Sequence, residues 1–253
     1  MKTNLPAEYF WDEDIESNAE TSALMGKVWP RYLLEKGDID DHAAPTSLSD
    51  HALTRRFRMW GIRRKEDRKL VAFASAVMIS TDQNRKSYPN EGWRYALNAY
   101  YAGGAENCLC LLSANVDPDY RNLKFSYSLI QAAKELAASL GLSSVLAPVR
   151  PTQKAQFPLL PIREYLEKKS DDGEIYDPWL RVHAKLGGEI LNICTESVVV
   201  KASFSKWEEW LGSSIEGLNM FVPEMGLVPI TVESEKIGVY CEPNVWVRYL
   251  LQH

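Results

Sequence analysis

The sequence predicts an α/β domain built around one parallel crossover, and three observations lead there. A strand-turn-helix-strand run occupies the middle of the chain, a charged hairpin precedes it, and several extended apolar stretches follow it. In the central run, residues 108–116 (CLCLLSANV) are apolar and small, and too few for a helix of their own. Asp117-Pro118 breaks this stretch, because proline lacks an amide donor and biases its predecessor towards extended backbone. Phe125, Leu129, Ala132 or Ala133, Leu136 and Leu140 then fall on one helical face. Gly141 stops the helix as a left-handed cap would, and residues 145–149 (VLAPV) return as a short buried strand. A unit of this length fits a parallel crossover, which aims the helix N-terminus out of the sheet edge. Unpaired amides and the positive end of the helix dipole gather at such a terminus, so it suits a phosphate.

The remaining elements follow in order. Residues 1–20 read as a polar, irregular extension whose Tyr9, Phe10 and Trp11 can pack on the body, and 21–253 read as one domain. A helix is expected from Thr21, with Thr21 or Ser22 as its cap, until Pro30 interrupts it. Residues 38–50 are loop-like. Residues 57–63 and 70–80 form a hairpin across the charged turn RKEDR at 64–68. A helix resumes at Gly92, and Gly103-Gly104 closes it. Beyond the crossover, a short helix is expected over 161–169. Another starts at Asp177-Pro178, with aspartate as cap and proline in its favoured first position, and ends at Gly187-Gly188. Residues 190–200, 228–232 and 244–251 read as extended, and FSKWEEWL at 204–211 as an amphipathic helix.

Composition narrows the function. With 253 residues and 45% hydrophobic content the chain can bury a substantial core. Its net charge of -5 argues against nucleic acid as the main partner. The four cysteines, Cys108, Cys110, Cys194 and Cys241, form no C-x-x-C pair and read as reduced core thiols. The acidic N-terminus is unlike a signal peptide, and no apolar run approaches the ~20 residues of a membrane helix, so a soluble cytoplasmic protein is expected. No HExxH motif, Ser-His-Asp spacing or paired catalytic carboxylates stand out, and no metal is required.

Three pieces of sequence resemble the Gcn5-related N-acetyltransferase (GNAT) superfamily. The family turn V-x-P-x-x-R-G-x-G-x-G/A is matched by VDPDYRNLKFS at 116–126, with Lys124 where the family has glycine and Ser126 at the last position. AASLG at 137–141 matches the end of the cofactor helix, and HAKLGG at 183–188 matches Y-x-K-L-G-F. The segments APVRPT (147–152), DPWLRVH (177–183), WEEW (207–210) and EPNVW (242–246) are similar to a stand-alone bacterial branch of GNAT-like proteins. That branch in turn looks like the GNAT-like domains of polyketide synthase loading modules.

The resemblance implies a GNAT (acyl-CoA N-acyltransferase) fold, with a mixed, mostly antiparallel twisted sheet flanked by helices. It implies acetyl-CoA or another acyl-CoA as co-substrate, and a small-molecule amine as acceptor. A carrier-protein thiol, with or without decarboxylation, is the alternative acceptor, and a non-catalytic acyl-CoA-binding scaffold is the alternative from another class. Ala114, Asn115 and Val116 would face the acyl thioester, and backbone near Ala114 and Asn115 would polarise its carbonyl. Arg121, Asn122, Leu123, Lys124, Phe125 and Ser126 would wrap the pyrophosphate. His183 stands where the family tyrosine protonates the thiolate, and imidazole can serve as acid or base near neutrality. Thr152 would hydrogen-bond the thioester carbonyl or a carboxylate. Trp29, Asn244 and Trp246 would line the substrate pocket. Arg150 and Arg181 are candidates for anion contacts. Glu196, where related sequences often carry arginine, weakens the case for decarboxylation.

Overall fold

The computed structural model describes residues 1–251 apart from Lys2, Asp14, Lys36, 40–53, Glu216, Leu218, Asn219 and Glu235. Most of the loop expected over 38–50, and with it His42 and His51, lies outside the described residues, as does His253. The chain runs β1 (Tyr9–Asp12), α1 (Ala19–Val28), α2 (Arg31–Leu34), β2 (Phe57–Arg64), β3 (Leu70–Ile79) and α3 (Gly92–Ala102). The crossover follows as β4 (Cys108–Val116), α4 (Phe125–Ser139) and β5 (Ser144–Val149). The remainder is α5 (Ile162–Glu167), α6 (Pro178–Lys185), β6 (Glu189–Ser203), α7 (Phe204–Leu211), β7 (Met220–Phe221), β8 (Ile230–Ser234) and β9 (Ile237–Leu250).

These strands form one sheet in the order β1-β2-β3-β4-β5-β9-β8-β7, with β6 along the other edge of β9. Every pairing is antiparallel except that of β4 with β5. Side-chain alternation sends successive residues to opposite faces. Ala72, Ala74 and Ala76 of β3 meet Leu129, Ala132 and Ala133 of α4 in the larger core, where α6 adds Leu180. Small residues on the strand let the helix lie close. Val77 and Ile79 point the other way and pack with Cys108, Cys110, Ala96 and Tyr100 beneath α3. On that same face Phe73 meets Leu24 of α1.

Local chemistry explains where the sequence reading holds and where it fails. Gly141 follows α4 at φ +70°, the left-handed cap expected of it. Asp177 caps α6 by accepting from the Trp179 and Leu180 amides, with Pro178 at the first position. Residues 9–12, expected to be irregular, are an edge strand: Tyr9 and Trp11 alternate onto the α4 core while Phe10 lies under Arg68. The cap of α1 is Asn18, not Thr21 or Ser22. Its Oδ1 accepts from the Glu20 and Thr21 amides at 2.9 and 3.1 Å, and the Thr21 hydroxyl accepts from the Asn18 amide, closing a capping box. A polar pair three residues apart marks the box. The apolar spacing alone does not.

Candidate active site

The parallel pairing of β4 and β5 lasts for three residue pairs, Cys108–Ser144, Leu109–Val145 and Cys110–Leu146. Beyond them β4 stays with β3 and β5 with β9, so the sheet opens. The register slip against β3 falls at Leu112, which has no partner between Leu111–Ala76 and Ser113–Ser75. A bulge of this kind bends its strand and re-aims the residues after it. Past the bulge, Ala114 and Val116 turn their side chains to the α4 core, so only their backbone faces the opening. Ser113, Asn115 and Asp117 turn to the opposite face.

At the outer end of the opening, residues 118–123 make a tight helical turn capped by Asp117, whose Oδ1 accepts the Asp119 amide at 3.2 Å. Lys124 joins this turn to α4 with φ 57° and ψ 25°, the left-handed conformation that glycine adopts without strain. The lysine thus stands in a backbone conformation that would accept a glycine at this position. Arg121, Asn122, Leu123 and Lys124 are exposed. The amides of Phe125 and Ser126 open α4, where no intrahelical acceptor exists. Phe125 contributes nothing more: its ring is fully buried against Tyr9, with ring centroids 4.9 Å apart. Below the turn, buried Asp117 pairs with Lys27 of α1 at 2.8 Å and with Lys69 at 3.2 Å. Burial opposes ionisation of this carboxylate, but the lysines and the Asp119 amide hold its pKa below the ordinary range.

On the α1 face the opening is lined by a connected polar chain. Trp29 Nε1 donates to Asn115 Oδ1 at 2.6 Å, Asn115 Nδ2 donates to Ser113 Oγ at 3.0 Å, and Ser113 meets Ser75 at 2.8 Å. The Trp29 ring also underlies Arg150, whose guanidinium carbon is 5.7 Å from the ring centroid. Trp29 therefore bridges the two lips of the opening, β4 through Asn115 and the end of β5 through Arg150. Arg150 Nε donates to both carboxylate oxygens of Glu242 at 3.0 Å, and Nη2 to the Met225 carbonyl at 2.6 Å. Glu242 also accepts from the Tyr240 hydroxyl at 2.6 Å. Burial would lower the arginine pKa, but the Glu242 carboxylate more than reverses this, and Arg150 stays charged.

Asn244, two residues further along β9, donates from Nδ2 to Ser197 Oγ at 2.9 Å and to the Pro148 carbonyl at 3.5 Å. Its Oδ1 is buried without a partner among the described residues. The expectation for Trp246 is corrected. Trp246 is fully buried in the core under α3, and its Nε1 donates to the Pro89 carbonyl at 2.8 Å, so it completes the sheet rather than lining a pocket. Arg150, a candidate for anion contacts, has its Nε committed to the Glu242 carboxylate. Arg181 donates to the Tyr176 carbonyl at 3.2 Å and lies away from these groups.

His183 sits on the inner side of α6 and is 1% exposed. Its Nδ1 lies 2.7 Å from the Tyr249 hydroxyl, its ring meets Trp179 edge-on at 4.5 Å, and its Nε2 has no partner among the described residues. Burial pushes its pKa down to about 3. The expectation of a histidine titrating near neutrality is therefore corrected: the imidazole is neutral throughout the physiological range. Thr152 is exposed in the turn that follows β5.

Several residues around the opening escaped the sequence reading. Glu242 shares a strand face with Asn244, and alternation within EPNVW is the signal that points to it. Ser197 and Trp93 carry no comparable signal. Ser197 Oγ accepts the Trp93 amide at 3.0 Å while Trp93 Nε1 reaches the Leu112 carbonyl at 2.9 Å, joining β6 to the bulge through α3. Among the described residues no group of His, Cys, Asp and Glu could hold a metal, and no helix is long and apolar enough to cross a membrane.

No family model matches the chain. Over 252 residues it is 27% identical to the arginine N-acetyltransferase avaD of Aspergillus versicolor, covering 88% of this chain and 85% of that protein. Among solved structures it is similar to the loading GNATL domain of CurA from Lyngbya majuscula, with TM-score 0.58 and 16% identity over 96% of this chain and 97% of that one. It is similar also to the GphF GNAT-like decarboxylase in complex with isobutyryl-CoA, with TM-score 0.54 and 20% identity over 92% of this chain and 94% of that one.

Proposed function

We propose that this chain, whose fold is that of the GNAT acyltransferases, moves an acyl group from coenzyme A to an amine. The observation that carries this reading is the opening between β4 and β5. It has a phosphate-suited turn at its outer end and a polar, aromatic lining of Trp29, Asn115 and Ser113 on the α1 face. The residues present fit coenzyme A. The exposed Arg121 and Lys124 supply positive charge, and the Phe125 and Ser126 amides, with the helix dipole, supply donors for the pyrophosphate. Backbone of Ala114 and Asn115, unpaired on the side facing β5, engages the thioester arm and polarises its carbonyl.

In the transfer itself the amine nitrogen attacks the thioester carbon. The carbon–nitrogen bond forms, the carbon–sulfur bond breaks, one proton leaves the nitrogen and one reaches the sulfur. Juxtaposing two bound substrates supplies much of the rate gain in such direct transfers. His183 contributes as a neutral hydrogen-bond donor rather than as an imidazolium. When Tyr249 donates to Nδ1, the proton of the imidazole resides on Nε2, a buried donor that costs about 1–3 kcal/mol while unpaired and gains a partner in a thiolate. Thr152 and Trp29 belong to the acceptor side of the opening.

The N-acetyltransferase relative supports an amine acceptor. Acetyl-CoA incubated with the protein and L-arginine should release free thiol in step with acetylated amine, and His183→Ala should slow this release while leaving acetyl-CoA affinity nearly unchanged. Thiol release that requires a phosphopantetheine-bearing carrier protein and ignores amines would replace this reading with S-acyl transfer.

A further inference from the structure

We propose that the acceptor is an amino acid recognised as a zwitterion, with Arg150 receiving its carboxylate and Asn244 Oδ1 its amine; this rests on the amine-transfer reading above. Three observations converge. The guanidinium of Arg150 has two unlike edges. The Nε edge is fixed by Glu242, whereas Nη2 donates at 2.6 Å to the carbonyl of the exposed Met225. Nη1 makes no hydrogen bond among the described residues. A neutral carbonyl is the weaker partner for a guanidinium, and a carboxylate gripping Nη1 and Nη2 together forms a charge-assisted, bidentate pair.

The second observation is the orphaned oxygen. Asn244 is 4% exposed, its amide orientation is set by two acceptors for Nδ2, and Oδ1 is left unpaired. Buried acceptors are nearly always satisfied, so an unsatisfied one points to an absent donor. Glu242, which anchors Arg150, and Asn244 are two residues apart on one strand face, hence about 7 Å apart. Arg150, held by Glu242, and the Asn244 amide oxygen therefore lie on one side of the sheet, where one small molecule carrying a carboxylate and an amine can meet both.

The third is the segment that closes this side. β5 pairs β9 no further than Val149–Val245, and β8 rejoins β9 at Thr231–Val239. Residues 223–227 cover the unpaired stretch between. They are held by backbone bonds to four side chains: Tyr32 to the Glu224 carbonyl, Arg150 to Met225, Lys154 to the Leu227 carbonyl, and the Leu227 amide to Tyr240. Of these four bonds only the one from Arg150 pairs a partly exposed donor residue with an exposed one, Met225. A carboxylate can take the place of the Met225 carbonyl while the other three keep the segment seated.

The test compares L-arginine with agmatine, the same molecule without its carboxylate, using acetyl-CoA and thiol release. The wild-type protein should favour L-arginine by roughly tenfold or more in kcat/KM, through KM. Arg150→Gln, and the paired Arg150→Gln/Glu242→Gln variant that leaves no unpaired buried charge, should abolish the preference by raising KM for L-arginine alone. Asn244→Ala should raise KM for both amines alike. Equal use of the two amines by the wild type, or a preference that survives both Arg150 variants, overturns the assignment and leaves amine transfer standing. Acetyl-CoA binding without thiol release to either amine overturns both.

Discussion

A lysine at φ 57° carries a cost that glycine does not, because its Cβ crowds the following carbonyl. Lys124→Gly should therefore raise stability by about 1 kcal/mol, less the entropy a glycine gains in the unfolded chain. Urea unfolding measures it. The same substitution should flatten the salt dependence of acetyl-CoA binding, because a charge beside the phosphates is lost. His183 acts on stability through its protons. Its folded pKa of about 3 lies below the unfolded value near 6.5, so the stabilising contribution is complete above pH 6.5 and drains away as pH falls towards 3. The slope is about 1.4 kcal/mol per pH unit in that window. His183→Phe should shallow the acid limb of a stability-against-pH curve, and an unchanged limb would mean the imidazole is not buried as described. At this scale the sequence singled out Lys124 and His183 through the resemblance of their segments to family motifs. It could not supply the backbone angle of one or the burial of the other, since both arise from distant packing.

Elements were more legible than residues. The crossover, the hairpin and the Asp-Pro helix start were readable because proline, glycine and apolar spacing act locally. Two things were not. The strand at 9–12 exists only because β2 offers it an edge, and the extent of the β4–β5 pairing depends on the bulge at Leu112. Trp29 shows the consequence for function: nothing in its neighbourhood of sequence announces a bond to Asn115, 86 residues away. Trp29→Phe removes that donor and leaves a buried amide oxygen unpaired, at a cost of about 1–3 kcal/mol. The amine kcat/KM should fall roughly tenfold or more, with acetyl-CoA affinity by calorimetry little changed. Equal losses in both would place Trp29 with the coenzyme instead.

For the molecule as a whole, the acidic balance and the free thiols were legible from composition. Burial pushes the Cys108 and Cys194 thiols up to about 12 and Cys110 well above its ordinary value, while Cys241 is partly exposed. Thiolate is the reactive form. Native protein should thus titrate no more than one thiol rapidly with a disulfide reagent, and all four only when unfolded; two or more fast thiols would show that the sheet opens readily. What composition could not give is the brevity of the seam between the halves of the sheet. Three backbone pairs join β1–β4 to β5–β9, so the sheet resembles two plates sharing a short hinge, with α4 on one face and α3 on the other spanning both plates. In amide hydrogen exchange the β4 groups facing the gap, residues 112–116, should trade their protons faster than those of β3 opposite. A ligand threaded between the plates would slow that exchange on both lips at once. The slowing would report a single clasping motion rather than the ordering of any one strand.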